Sequence, residues 1–142
     1  MGRTLAIIKP DAVRKNIFGY IISAIEEAGF RILAMKYIRI STEQAAEFYA
    51  VHKEQPFYKD LIEFMTKEKI IPMVLEKDNA IEDFRTLIGN KNPALAEEGT
   101  IRKKYGETVT YNSIHGSDSL ENSEKEISFF FSKSEIMGNC TG

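Results

Sequence analysis

Cysteine is almost absent. Cys140 is alone in 142 residues, which leaves no disulfide framework and no cysteine-based metal cluster, and a reducing compartment is the simplest reading. Histidine is nearly as scarce: His52 and His115 stand too far apart in the chain for a familiar metal-ligand spacing. No apolar run approaches the length of a membrane span, and no charged head followed by a long apolar region opens the chain, so no membrane role is expected and a cytoplasmic location is. Charge of one sign is also lacking: 19 Lys and Arg against 21 Asp and Glu give a net charge of -2. That leaves no field for general attraction to nucleic acid or to an anionic surface, and any anion site must be local. The common nucleotide signatures are missing too, with no G-x-x-x-x-G-K-[ST], no G-x-G-x-x-G and no kinase-type catalytic loop. Repeats, low-complexity tracts and linkers are absent, so residues 1–142 are expected to form one domain.

What is present is an ordinary globule's composition, 43% apolar and 28% charged, long enough to bury a sizeable core. Residues 4–9 (TLAIIK) read as a buried strand stopped by Pro10, with Lys9 at its end. Ile21, Ile22, Ile25 and Ala28 recur at helical spacing over residues 18–28. Residues 30–40 are β-branched and aromatic and predict a long strand. Ser41 and Gln44 form a capping box opening a helix to about Val51, and Phe57, Leu61, Phe64 and Met65 set an apolar stripe on the next. Residues 70–76 read as a strand in which Pro72 argues for an edge position or a bulge. A helix over residues 79–88 carries Arg85, and about twenty aperiodic residues, 90–107, follow with Lys91 and Arg102 among them. A connection that long is more often functional than idle. Residues 109–114 predict a strand, and Ser117, Asp118 and Ser119 are N-cap candidates for a helix to about Phe131. The order is βαββαβ with additions: an α+β, ferredoxin-like fold with a four-stranded antiparallel sheet covered by helices.

His115, in NSIHGSDS, falls where strand hands over to helix. Gly116 supplies a tight turn, and Glu126, one to two turns into the helix, is placed to reach back and hold one ring nitrogen while the other faces a substrate. Lys9, Arg85, Arg102 and the helix N-terminus are the groups that stabilise transferring phosphoryl oxygens. Without a nucleotide cradle, the simplest route is a covalent relay in which His115 takes a phosphoryl group from one carrier and gives it to another. A serine triad is disfavoured, because Ser117 is two residues from His115 with no nucleophile-elbow pattern. His52, near the end of its helix, reads as a dipole partner or a surface residue.

The segments TLAIIKPDAV, residues 49–57 running into QPFY, FRTLIG, NKNPALAEEGTIR and NSIHGSDSLENSEKEI resemble nucleoside diphosphate kinases, in the same order over nearly the whole chain, and the tail SEIMGNCTG resembles the shorter bacterial type. The resemblance implies a ping-pong enzyme that moves the γ-phosphate of a nucleoside triphosphate to a nucleoside diphosphate through phosphohistidine, with Mg2+ carried on the nucleotide. It implies that His115 is phosphorylated on Nδ1, that Glu126 positions its ring, and that Tyr49 and Ser117 stand beside the pair. It also implies that Lys9, Arg85 and Arg102 bind phosphate, Asn112 the ribose and Phe57 the base, and that Asp118 reaches the metal through water. Homo-oligomers, tetramers or hexamers, are implied as well. On the residues alone, Phe57 belongs to its helix stripe and would be core, and Tyr49 would be core with its hydroxyl satisfied. Stacking on Phe57 would be largely indifferent to which base it is.

Lys91 departs from the pattern, standing where the family usually has a phosphate-touching threonine. An added cation there is expected to tighten ground-state binding of triphosphate without raising turnover. Pro72 and Ser113 are smaller departures with no role attached. Two rivals are a binding module that keeps the fold without turnover and a nucleic-acid binder. The intact set of His115, Glu126, Lys9, Tyr49, Arg85, Arg102 and Asn112 decides for the enzyme.

Overall fold

A computed structural model describes residues 1–136; Cys140 and the tail from residue 137 lie outside the described residues. The sheet is built from β1 (Gly2–Ile8), β2 (Arg31–Met35), β3 (Ile71–Lys77) and β4 (Ile114–Gly116) in the order β2-β3-β1-β4, with every pairing antiparallel. Helix α1 (Pro10–Arg14) and α2 (Phe18–Glu27) follow β1. Helices α3 (Thr42–Phe48) and α4 (Tyr58–Lys67) are inserted between β2 and β3. Helices α5 (Ala80–Ile88) and α6 (Ile101–Tyr105) separate β3 from β4, and α7 (Leu120–Phe130) and α8 (Lys133–Ile136) close the described chain. This is the expected βαββαβ order with helical insertions.

Both faces of the sheet are covered, which is why β1 reads as a continuous apolar run rather than an alternation. Ala6 and Ile8 pack with Met73, Leu75, Ile21 and Ile25 against α2 and α5, whereas Leu5 and Ile7 face Ala45, Met65 and Ile127 of α3, α4 and α7. Each fully buried Leu or Ile contributes about 1.5–3 kcal/mol, so β1, the strand between β3 and β4, anchors both cores.

Several expected boundaries move. Strand β4 comprises only Ile114–Gly116, so His115 lies within the strand instead of after it. The predicted 109–114 strand is wrong because Val109 and Tyr111, β-formers by type, are exposed and make no ladder. Strand β2 ends at Met35, leaving Ile38 in an isolated bridge with Ile70. Pro72 is in an interior strand, not at an edge. Its carbonyl accepts from the Lys36 N–H at 3.0 Å, so the donor it lacks faces the β2 side, one residue past that strand's end, where little pairing is lost. The capping box at Ser41 is present as read, but α3 ends at Phe48 and a 3-10 turn, Ala50–His52, completes the segment. The long connection over 90–107 holds α6, capped by the Thr100 hydroxyl.

Candidate active site

His115 pairs with Ile7, and directly opposed residues in an antiparallel ladder point the same way, so the imidazole emerges on the α7 face. Ser119 caps α7 by accepting from the Asn122 N–H, and the helix carries Glu126 back over the strand. His115 Nε2 lies 2.9 Å from Glu126 Oε1, and the two side chains are 22% and 20% exposed. A carboxylate only accepts, so Nε2 carries the proton and the lone pair is left on Nδ1. The same Oε1 receives the Ser117 hydroxyl at 2.7 Å, while Ser117 Oγ accepts from the Leu5 N–H at 3.2 Å. Phe48 sets its ring edge-on to the imidazole, 6.0 Å between centroids. Gly116 is not a turn residue. It lies in β4, where a Cβ would come within 2.8 Å of the Phe84 ring.

Lys9 follows β1 and is buried; its Nζ donates to Asn112 Oδ1 at 2.8 Å. Burial, reinforced by the Arg102 charge and opposed by Asp11, lowers the Lys9 pKa to about 8. Asn112 has committed both amide hydrogens, to the Lys91 and Val109 carbonyls at 2.9 Å each, so only lone-pair capacity on Oδ1 remains for a ligand. Arg102 is a strut as well as a cation: its guanidinium donates to the Gly89 carbonyl at 2.9 Å and to the Ile114 carbonyl at 2.8 Å. Burial, with the neighbouring Arg85 charge, brings it down to about 10, still cationic at neutral pH. Gly89, at φ +88°, lets α5 end against Thr100, whose side chain a Cβ would meet at 2.6 Å.

Arg85, Lys91 and Arg102 face one another across an open cleft of about 980 Å³ whose wall includes Gly116, next to His115, and Asp118. Asp118 is held below the usual carboxylate range by the Asn122 amide, 2.7 Å from its Oδ1, against a smaller opposing effect of burial. None of the ion pairs among the described residues uses Lys9, Arg85, Lys91 or Arg102. Among the described residues no group of three or more His, Cys, Asp or Glu is placed to hold a metal. Phe57 is not core: it stands at the N-cap position of α4, is 47% exposed, and sets its ring 5.5 Å from that of His52. His52 stacks in turn on Tyr49 at 6.4 Å. Tyr49 is buried, but its hydroxyl has no hydrogen-bond partner among the described residues, and burial with the Glu126 charge pushes the phenol up.

The predicted residues therefore fall into two groups, one around His115, Glu126, Ser117, Lys9 and Asn112, the other around the cleft. Arg102 and Asn112 tie the groups together through backbone carbonyls. Asp11 went unremarked in the sequence although it stands in the K-P-D segment: it is 3% exposed, and its Oδ2 accepts the Ser113 N–H at 3.0 Å.

A family model described as "Nucleoside diphosphate kinase" matches residues 2–136. The nucleoside diphosphate kinase of Chlorobium limicola is 56% identical over 137 residues, covering 96% of this chain and 98% of its own. That of Histophilus somni is 50% identical over 136 residues, covering 96% of each chain. Among solved structures, the Aquifex aeolicus nucleoside diphosphate kinase superposes with a TM-score of 0.93 at 41% identity, over 95% of this chain and 98% of that one. The halophilic enzyme of Halobacterium salinarum, solved in complex with CDP, gives 0.90 at 37% identity over 94% and 90%.

Proposed function

The chain belongs to the nucleoside diphosphate kinase family, and from that premise we propose how its own residues divide the reaction. The reaction is the transfer of the γ-phosphate of a nucleoside triphosphate to a nucleoside diphosphate, in ping-pong fashion through a phosphohistidine. His115 Nδ1 attacks the γ-phosphorus; the N–P bond forms as the bond to the bridging oxygen breaks, and that electron pair leaves on the nucleoside diphosphate. Glu126 keeps Nε2 protonated and offsets the positive charge that the ring gains, and Ser117 holds Glu126 in place. The second half-reaction reverses these steps with a different diphosphate.

Lys9, Arg85 and Arg102 stabilise the equatorial oxygens, and with no ion pair to a carboxylate among the described residues that charge is left for the substrate. Asn112 takes the ribose through Oδ1, and the base stacks on Phe57, the exposed ring that has no place in the core. Tyr49 offers its unpartnered hydroxyl beside the histidine. The family's reaction uses a divalent cation. We assign Mg2+, carried on the nucleotide, where it neutralises phosphate charge; Asp118, ionised and with one oxygen occupied by Asn122, fits a water-mediated contact to it. We also assign one domain to residues 1–142, a cytoplasmic location and a homo-oligomer, tetramer or hexamer. No described helix is long and apolar enough to cross a membrane. The edge of β2, which no strand among the described residues pairs, carries exposed Met35 with exposed Tyr37 just beyond it, and supports contact with a second copy.

The observation that carries this reading is a histidine held by a carboxylate through Nε2, on a chain whose Lys9, Arg85 and Arg102 enter no ion pair among the described residues. Incubation with γ-labelled ATP and no acceptor should leave acid-labile label on the chain, and a GDP chase should release it as GTP. His115→Ala should take up no label; label retained by that variant overturns the reading.

A further inference from the structure

Ser113 sits at φ +70° and is fully buried, and the Ile114 N–H donates to the Asn112 carbonyl at 2.9 Å. A bond from residue i+2 back to i around a positive φ is a γ-turn of the rare, strained kind. The turn is immediately followed by β4, so its geometry sets where His115 starts. Two contacts hold it, both from the segment after β1: the Lys9 N–H donates to the Ser113 carbonyl at 2.9 Å, and Asp11 Oδ2 accepts the Ser113 N–H at 3.0 Å.

We propose that Asp11 is a positioning residue for His115, its buried carboxylate clamping the left-handed turn from which the nucleophile's strand begins. This rests on His115 being the phosphoryl acceptor. The carboxylate does not serve as a counter-ion in contact with the neighbouring lysine, since Lys9 Nζ goes to Asn112 and forms no ion pair with Asp11. Asp11 Oδ1 has no partner among the described residues, nor does the Ser113 hydroxyl, so the fold keeps a carboxylate buried with one oxygen unmet. Burial accordingly raises its pKa. What that position secures is a backbone N–H that would otherwise be orphaned at a strained turn. Downstream, the Arg102 guanidinium pins the Ile114 carbonyl, so both residues before His115 are held by side chains distant from them in the chain. A displacement of about 1 Å at a reacting atom can lower a rate about 100-fold.

The test compares Asp11→Leu, Asp11→Asn and Asp11→Leu combined with Ser113→Gly. The readouts are single-turnover phosphorylation of His115, steady-state kcat and KM, and thermal melting. Leucine fills the volume without an acceptor: kcat and the phosphorylation rate should fall about 100-fold, with KM changed less than about twofold. Asparagine retains an acceptor oxygen and should recover most of that loss. Added glycine, for which positive φ is cheap, should recover about tenfold without restoring the clamp. The proposal is overturned if asparagine is as damaged as leucine, if leucine leaves phosphorylation unchanged, or if the loss appears in KM. Should the leucine variant melt below the assay temperature, Asp11→Ala, which also lacks an acceptor, takes its place under the same criteria at a temperature where all variants are folded. His115→Ala in parallel separates this outcome from failure of the nucleophile assignment: label on that variant overturns the latter whatever the Asp11 variants do.

Discussion

Around His115 the polar groups that orient the ring are bonded to other parts of the protein, whereas across the cleft Arg85, Lys91 and Asp118 stand exposed. On the first side Glu126 is bonded to His115 of β4, Ser117 to Leu5 of β1 and to Glu126, and Asp11 and the Lys9 N–H to Ser113 just before β4, by bonds of 2.7 to 3.2 Å. On the second, the cations enter no ion pair among the described residues, and Leu95 at the cleft's wall is 69% exposed. The contrast separates two tasks. A nucleophile needs placement before the substrate arrives, while phosphate capture needs charge that is free to meet its counter-ion. Damage on the first side should therefore appear in kcat, and damage on the second in KM.

The sharpest way to break that division is Glu126→Ala, which frees the tautomer of His115: kcat should drop by about 100-fold or more, with KM little changed, in steady-state assays. A matching rise in KM would mean that Glu126 belongs to the binding side. Phe57→Ala should raise KM for every nucleoside diphosphate by about tenfold and leave kcat nearly intact, as stacking worth about 1–3 kcal/mol predicts. Lys9 straddles the two sides, because its ammonium is buried with the first group yet unpaired like the second. With its pKa lowered to about 8, the free enzyme loses that cation as pH rises through 8, and kcat/KM should decline above this point by several-fold, a decline that Lys9→Gln abolishes. For stability the sign is opposite: an unfolded lysine still binds its proton between about 8 and 10.5, so this group's contribution to stability improves over that window as pH rises. The smallest effect belongs to Lys91→Thr, expected to raise KM for triphosphate about two- to threefold at unchanged kcat.

The contact between His115 and Glu126 was legible because the two lie close in sequence on a strand-to-helix handover, and the α7 cap signals that handover. Helix α5 and the capping box at Ser41 were legible for the same local reason. What the sequence concealed depended on partners distant in the chain. Val109 and Tyr111 have strand chemistry, but among the described residues no strand pairs with them. Pro72 looked like an edge residue because nothing local says that β2 ends opposite it. Phe57 fitted a helix stripe by spacing, yet it stands at the cap, outside the first turn's packing. Asp11 was visible in K-P-D, but its use depends on the φ of Ser113, which no side-chain pattern encodes.

Strand β1 contributes to this site from the far end of the chain: the Lys9–Asn112 bond spans 103 positions and the Asp11–Ser113 bond 102, against 11 for His115–Glu126. Early in refolding, a molecule can bring its histidine and glutamate together by closing a short loop, but the lysine and the clamp arrive only when the first strand has slotted between β3 and β4. Recovery of phosphotransfer after dilution from denaturant is thus a clock for the docking of that first strand, and it should lag behind the return of helical signal.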